Sequence, residues 1–283
     1  ALPEMPDGPY FLNPSSPGDT DGAYEAYCDM TTDGGGWTLI ESYDIAHTDS
    51  RANAAFSIVD LAVSDGTVTS TDVVEVNACY SKAHVVVLGS STAAGYGPSV
   101  PDSAWVNRYR ASVQALDPSN QVTNLAVGGF RTYHIMPTGF VPPVGRPAPD
   151  PAQNITQALA LVPDLLIINL PSNDARFGYP VSEQLANYDI ILAQAAAQSV
   201  PGWIATTQPR NLSVAGRANL MEMRDSTFTR FGDFAVDFWN TLALSDGTIN
   251  PLYDRGDGIH LNDAGHRILR ERVTAKGIFC ETV

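Results

Sequence analysis

Apolar residues along this chain come in two textures. From about residue 83 they form short continuous runs separated by longer mixed segments, whereas residues 1 to about 80 alternate over only a few positions between clusters of Gly, Pro, Asp and Thr. Continuous runs of strand length suit a parallel sheet covered on both faces. They predict strands at 84–89, 121–125, 164–170, 202–207 and roughly 234–238, in an α/β arrangement. The segment SEQLANYDIILAQAAAQ, 182–198, sets Leu185, Tyr188, Leu192 and Ala195 on one face and predicts a helix. Further helices are expected around 152–161 and after His260, within LNDAGHRILRERVTAKG. Between Gly139 and Pro151 five prolines exclude regular structure. They predict an extended loop near the carboxyl edge of the sheet, placed to wall a substrate site.

The first 80 residues form their own expected domain, a small β-rich lobe, with 81–283 as the second. Its short alternating runs AYEAYCDM, GWTLIESYDI and VVEVNACY predict small antiparallel strands joined by turns. Gly34, Gly35 and Gly36 precede Trp37 with no helix behind them, which favours a tight turn over a phosphate cradle.

Charge narrows the function classes. With 31 acidic against 16 basic residues the net charge is -15, and no segment supplies the basic footprint of a nucleic-acid binder. The same balance disfavours anionic lipid faces, and no run reaches the length of a membrane span. The sequence starts at Ala1 without a basic region and apolar segment, so any secretion signal is expected to have been removed or to lie outside it. Cys28 and Cys79 can close one loop and Cys280 lies far from both, a usage that leans towards a secreted or periplasmic location.

Ser91 follows the apolar run AHVVVLG, where small residues allow a sharp turn and leave a hydroxyl at the carboxyl edge of a strand. A serine hydroxyl needs a base to become a nucleophile. The base expected here is His260, in DGIHLNDAGH, with Asp257 three residues earlier to orient the ring and fix its tautomer. Two plainer readings stand beside this one: Ser91 capping a helix that begins near Thr92, and Asp257 with His260 as surface or metal residues. Zinc is disfavoured, because His266 is the sole further ligand close by. Acyl transfer also needs donors for an oxyanion, and Gly129 in NLAVGGF and Asn173 in LPSND follow predicted strands on the same sheet edge. Each alone is an ordinary turn residue. Arg131 and His134 are placed at a pocket rim, and Tyr133, Phe140, Phe177 and Tyr179 serve either as pocket walls or as packing.

Taken together these segments resemble the blocks of the SGNH hydrolases, the GDSL esterase and lipase family, over roughly residues 83–276. The resemblance implies a flavodoxin-like three-layer α/β/α fold with a five-stranded parallel sheet. It implies Ser91 as nucleophile, Gly129 and Asn173 with the Ser91 amide as oxyanion donors, and Asp257 with His260 completing a triad. No cofactor is implied. Two positions depart from the pattern: Ser90 stands where the family has an aspartate that is not the triad acid, and Pro171 stands where it has a glycine. The first should leave catalysis intact; the second is expected to present Asn173 at a different angle. The implied activity is hydrolysis of short-chain carboxylic esters, with small esters or acetylated carbohydrates as substrates. The alternatives are a non-catalytic carbohydrate- or surface-binding protein, and an acyltransferase using the same three residues. Separately, GPYFLNP, AYCDM and TDGGGWTLI resemble the start of a fibrinogen C-terminal-like domain over about residues 8–41. For so small a lobe a Cys28–Cys79 disulfide is expected.

Overall fold

A computed structural model describes residues 80, 82–170 and 172–279, together with five short strands nearer the N-terminus. The chain divides into two units, Ala1–Asn77 and Ala78–Val283. In the first, β1 (Gly8–Leu12), β2 (Tyr24–Asp29) and β3 (Trp37–Leu39) form an antiparallel sheet in that order. A separate antiparallel pair joins β4 (Leu61–Ser64) to β5 (Thr69–Asp72). The glycines at 34–36, Cys79, Pro171 and Cys280 lie outside the described residues, and with them the expected disulfide and the expected effect of the proline on Asn173.

The second unit is built on a five-stranded sheet: β6 (His84–Gly89), β7 (Gln121–Asn124), β8 (Leu165–Asn169), β9 (Gly202–Ala205) and β10 (Ala235–Val236). The order is β10-β9-β8-β6-β7 and every pairing is parallel, which is the flavodoxin-like winding. Its helices are α1 (Trp105–Leu116), α2 (Ile155–Ala160), α3 (Ser172–Arg176), α4 (Val181–Ala196), α5 (Val214–Phe231) and α6 (Asp263–Thr274).

Alternation along β6 creates two cores. Val85 and Val87 pack with Trp105 and Tyr109 of α1 and Leu269 and Val273 of α6. Val86 and Leu88 face the other way, onto Ile155 of α2 and Tyr188 and Ile191 of α4. All four β6 side chains are fully buried, each contributing roughly 1.5–3 kcal/mol relative to exposure. The last strand is shorter than the sequence predicts. Beyond Val236 the chain leaves the ladder, because Phe238 N–H donates to Thr206 Oγ1 and Asp237 accepts from the N–H groups of Trp239 and Asn240.

The proline-rich segment from Gly139 to Pro151 forms neither helix nor strand, as expected, but it does not wall the site. Arg146 within it makes a two-pronged ion pair with Glu183 of α4, its guanidinium 3.8 Å from the centre of the Tyr179 ring.

Candidate active site

In a doubly wound sheet, chain order reverses beside the first strand, and loops from the carboxyl ends of the strands meet there. Ser91 lies two residues beyond β6, Gly129 five beyond β7, Asn173 four beyond β8 and Arg210 five beyond β9. All four line one cavity of about 290 Å³, with Tyr96, Gly128, Arg176, Ile259 and His260.

Ser91 Oγ is 3.0 Å from His260 Nε2, and His260 Nδ1 is 2.8 Å from Asp257 Oδ2. The helix-cap reading of Ser91 is set aside, since no regular helix begins at Thr92 and the hydroxyl faces the imidazole. An acid at Nδ1 leaves that nitrogen carrying the hydrogen, so Nε2 is free to accept from the serine hydroxyl. Asp257 is itself well held. Its Oδ1 accepts from the N–H groups of Ile259 and His260, each at 2.8 Å. Burial pushes this carboxyl up, but the ring and backbone hydrogen bonds outweigh it and bring the pKa down to about 2. It therefore stays ionised wherever an esterase would work.

The loop carrying these residues is braced at several points. Arg255 N–H donates to His260 O, Asn262 N–H to Tyr253 O, and Asp254 accepts from the N–H groups of Gly256 and Gly258. Asn262 then caps α6 by accepting from Ala264 and Gly265. His266, one turn into that helix, is buried and takes no part in the cavity. Its Nδ1 accepts from Trp105 N–H and its Nε2 donates to Tyr96 O, while burial brings its pKa down to about 4. Tyr96, tied in this way, stacks on His260 with ring centres 5.9 Å apart.

The same cavity holds the residues expected to donate to an oxyanion. Among the described residues neither Ser91 N–H nor Gly129 N–H has an acceptor. Gly129 holds a φ of +85°, a conformation open to glycine. Asn173 Nδ2 donates to Phe130 O and its Oδ1 accepts from Arg210 Nη1, which fixes the amide plane and turns nitrogen rather than oxygen towards the Gly129 loop. A second bond joins the same two loops: Asp174, fully buried, accepts from Thr132 N–H and Oγ1. Burial pushes its carboxyl up to about 7 against those hydrogen bonds. Beneath the cavity Gln208 donates to Thr92 Oγ1 and Ser172 Oγ, joining the serine turn to the asparagine turn.

The remaining residues singled out from sequence lie elsewhere. Arg131 donates to Tyr179 OH and lies over the Phe177 ring, and His134 stacks on Phe130 while accepting from Arg131 N–H. Tyr133 and Tyr179 are core residues, Phe140 packs against that core, and none of the four aromatics lines the cavity. Sequence reading missed Tyr96, Ile259, Arg176 and Arg210. Arg176 carried a signal, being three residues from Asn173 and so on the same helical face. No group of metal-ligating side chains occurs among the described residues, and no helix there is long and apolar enough to cross a membrane.

A parallel α/β sheet carrying a serine, an imidazole and a carboxylate in hydrogen-bonded series at its carboxyl edge is the arrangement of a serine hydrolase, and the family match makes it an SGNH hydrolase. Residues 87–268 match the GDSL-like lipase/acylhydrolase family, and the chain belongs to it. Among solved structures it resembles a protein described as lipolytic, of the G-D-S-L family, from Desulfitobacterium hafniense DCB-2. That match has 16% identity and a TM-score of 0.52 over 68% of this chain and 98% of that one. An acetyl esterase mutant with an acetate ion matches at 14% identity and a TM-score of 0.51 over 68% and 95%. A GDSL-like lipase from Bacteroides thetaiotaomicron VPI-5482 matches at 15% and 0.48 over 68% and 86%. The first two likenesses concern the fold. No curated protein sequence matches the chain.

Proposed function

We propose that this hydrolase is a serine esterase that cleaves short-chain carboxylic esters through an acyl-enzyme on Ser91. The observation that carries the proposal is the continuous series from Ser91 Oγ through the His260 ring to Asp257, at 3.0 and 2.8 Å. In the first half-reaction Ser91 Oγ attacks the ester carbonyl and its proton passes to His260 Nε2, leaving an imidazolium stabilised by Asp257. The carbonyl oxygen becomes an oxyanion beside the N–H groups of Ser91 and Gly129 and the amide of Asn173. Collapse of this intermediate breaks the bond to the alcohol oxygen, which takes the proton back from His260. Water then repeats the sequence on the acyl-enzyme, releasing the acid and restoring the serine.

The size of the cavity supports small acyl groups: about 290 Å³ sits at the lower end of the range for small-molecule sites. Small esters, including acetyl groups on carbohydrates, are the substrates of this reading, and a secreted or periplasmic setting with an accessory N-terminal lobe is part of it. Separation of Ser91 and His260 would favour the binding-scaffold alternative; their 3.0 Å contact supports the esterase reading instead. The test is turnover of a 4-nitrophenyl ester series from acetate to long chains by the native protein and by Ser91→Ala. Turnover of short esters that falls by about 10⁴-fold or more in the variant is expected. Full activity in Ser91→Ala would refute the mechanism, and capture of the acyl group by an added alcohol faster than by water would make the protein a transferase.

A further inference from the structure

The esterase reading uses the hydroxyl, the imidazole, the carboxylate and three neutral donors. It leaves the charge of two cationic side chains in the same cavity unused, Arg210 doing no more than fixing the Asn173 amide. Arg210 is only 5% exposed, yet a single one of its five N–H groups has a partner among the described residues, the Asn173 side-chain oxygen. Arg176, one turn along α3 from Asn173, also lines the cavity, and no carboxylate lies within ion-pair distance of either guanidinium among the described residues.

They stand among six of the thirteen described arginines that lack a carboxylate within ion-pair distance, and they are the two that line the cavity. Seven other arginines of the described residues have found a carboxylate, among them Arg146, Arg217, Arg230 and Arg272. Burying a guanidinium without a counter-charge is costly, and setting a second beside it adds repulsion. Burial and the neighbouring Arg176 both push the Arg210 pKa down, while Asp257 acts the other way. Asp257 is not the missing partner, because it lies beyond ion-pair distance of Arg210 and is held by His260, the Ile259 N–H and, at 3.8 Å, Arg255.

The geometry points to an anion-recognition subsite, formed by Arg176 and Arg210, that selects esters bearing a carboxylate close to the scissile bond. This inference rests on the esterase reading and narrows its substrate class. A carboxylate is the fitting occupant because a planar guanidinium presents two parallel N–H groups to its two oxygens. Long-range steering does not supply the selection, since the protein as a whole repels anions. The preference is made within the cavity, where water is displaced and the local charge is positive. Balance is unchanged from simple hydrolysis: water adds across the acyl bond, and the extra carboxylate is carried through.

The carboxylate could sit on either side of the ester, and matched pairs separate the two. On the alcohol side, acetate release from O-acetyl-lactate is compared with release from O-acetyl-lactamide. On the acyl side, 4-nitrophenyl hydrogen glutarate is compared with 4-nitrophenyl valerate. In at least one pair the native protein is expected to favour the anion by about tenfold or more in kcat/KM. That ratio should fall towards one in Arg176→Gln, whose exposed position makes it the safer variant for folding, and in Arg210→Gln. Equal turnover of both members of both pairs overturns the subsite and leaves the esterase standing. An unchanged ratio in both variants also overturns it. If nothing is turned over, calorimetric binding decides. Tighter binding of O-acetyl-lactate than of the lactamide, lost in Arg176→Gln, upholds the subsite while the esterase reading fails, and equal binding refutes both.

Discussion

Gly97 supplies a sharp test of how the site is held, because a methyl group there acts on His260 without touching the chemistry directly. A Cβ built at Gly97 would lie 2.1 Å from Leu261 O and 3.2 Å from His260 Cβ. Relieving the first contact requires the His260–Leu261 backbone to move by about 1 Å, taking the 3.0 Å contact with Ser91 Oγ beyond hydrogen-bonding range. A displacement of that size costs on the order of 10²-fold in rate. The backbone adds its own penalty, since φ at this position is +119° and a side chain there costs on the order of 1–3 kcal/mol. Gly139 is the control: its φ is +87°, yet nothing lies within 4 Å of its Cβ position. Both alanine variants are assayed for 4-nitrophenyl acetate turnover and for urea unfolding. Gly97→Ala is expected to lose about two orders of magnitude in kcat/KM together with stability; Gly139→Ala should lose only about 1 kcal/mol of stability. Wild-type turnover in Gly97→Ala, or an equal rate loss in Gly139→Ala, would show that this close approach does not set the position of the histidine.

Two buried groups give the folded state opposite responses to pH. Asp174 is raised to about 7 in the fold against 3.8, so its unfavourable burial of charge grows as pH rises from about 4 to 7, by roughly 4 kcal/mol. Asp174→Asn should therefore gain stability relative to wild type over that window in urea titrations, and a constant difference between the two would count against the buried charge. His266 is lowered to about 4 against 6.5, so the stability from its neutral form is complete above pH 6.5 and is lost, by roughly 3 kcal/mol, as pH falls to 4. His266→Gln should flatten that acid limb, with stability measured at pH 7 and pH 4.5; an undiminished acid slope would place its origin elsewhere.

Much of the fold was legible because one physical signal dominates it. A strand buried on both faces must be apolar at consecutive positions, so VVVL and LLII announced β6 and β8 to within a residue at each end. Helix α4 showed itself by periodicity, with Tyr188 and Ala195 buried as expected. Helices α1 and α5 did not. Only Leu220, Met223 and Thr227 are buried among the 18 residues of α5, and such sparse burial leaves little apolar period to read. Ser91, Asp257 and His260 could be found because their spacing follows from chemistry. Arg210 could not, since an arginine in sequence reads as solvated surface until a fold encloses it, whereas Arg176 was within reach through its spacing from Asn173. The reverse held for Tyr133 and Tyr179, whose rings suit a pocket wall and a core equally well and lie in the core.

The 169 residues that separate Ser91 from His260 also set a clock on synthesis. At ribosomal rates of 5–20 residues per second, roughly 10–30 s pass between the emergence of the hydroxyl and that of the ring that would activate it. During that interval β6 can pair and α1 can pack, but the serine has no base. On the proposed mechanism, the onset of hydrolysis is coupled to the docking of α6 against α1. Turnover followed during refolding would report completion of the fold rather than pairing of its central strands.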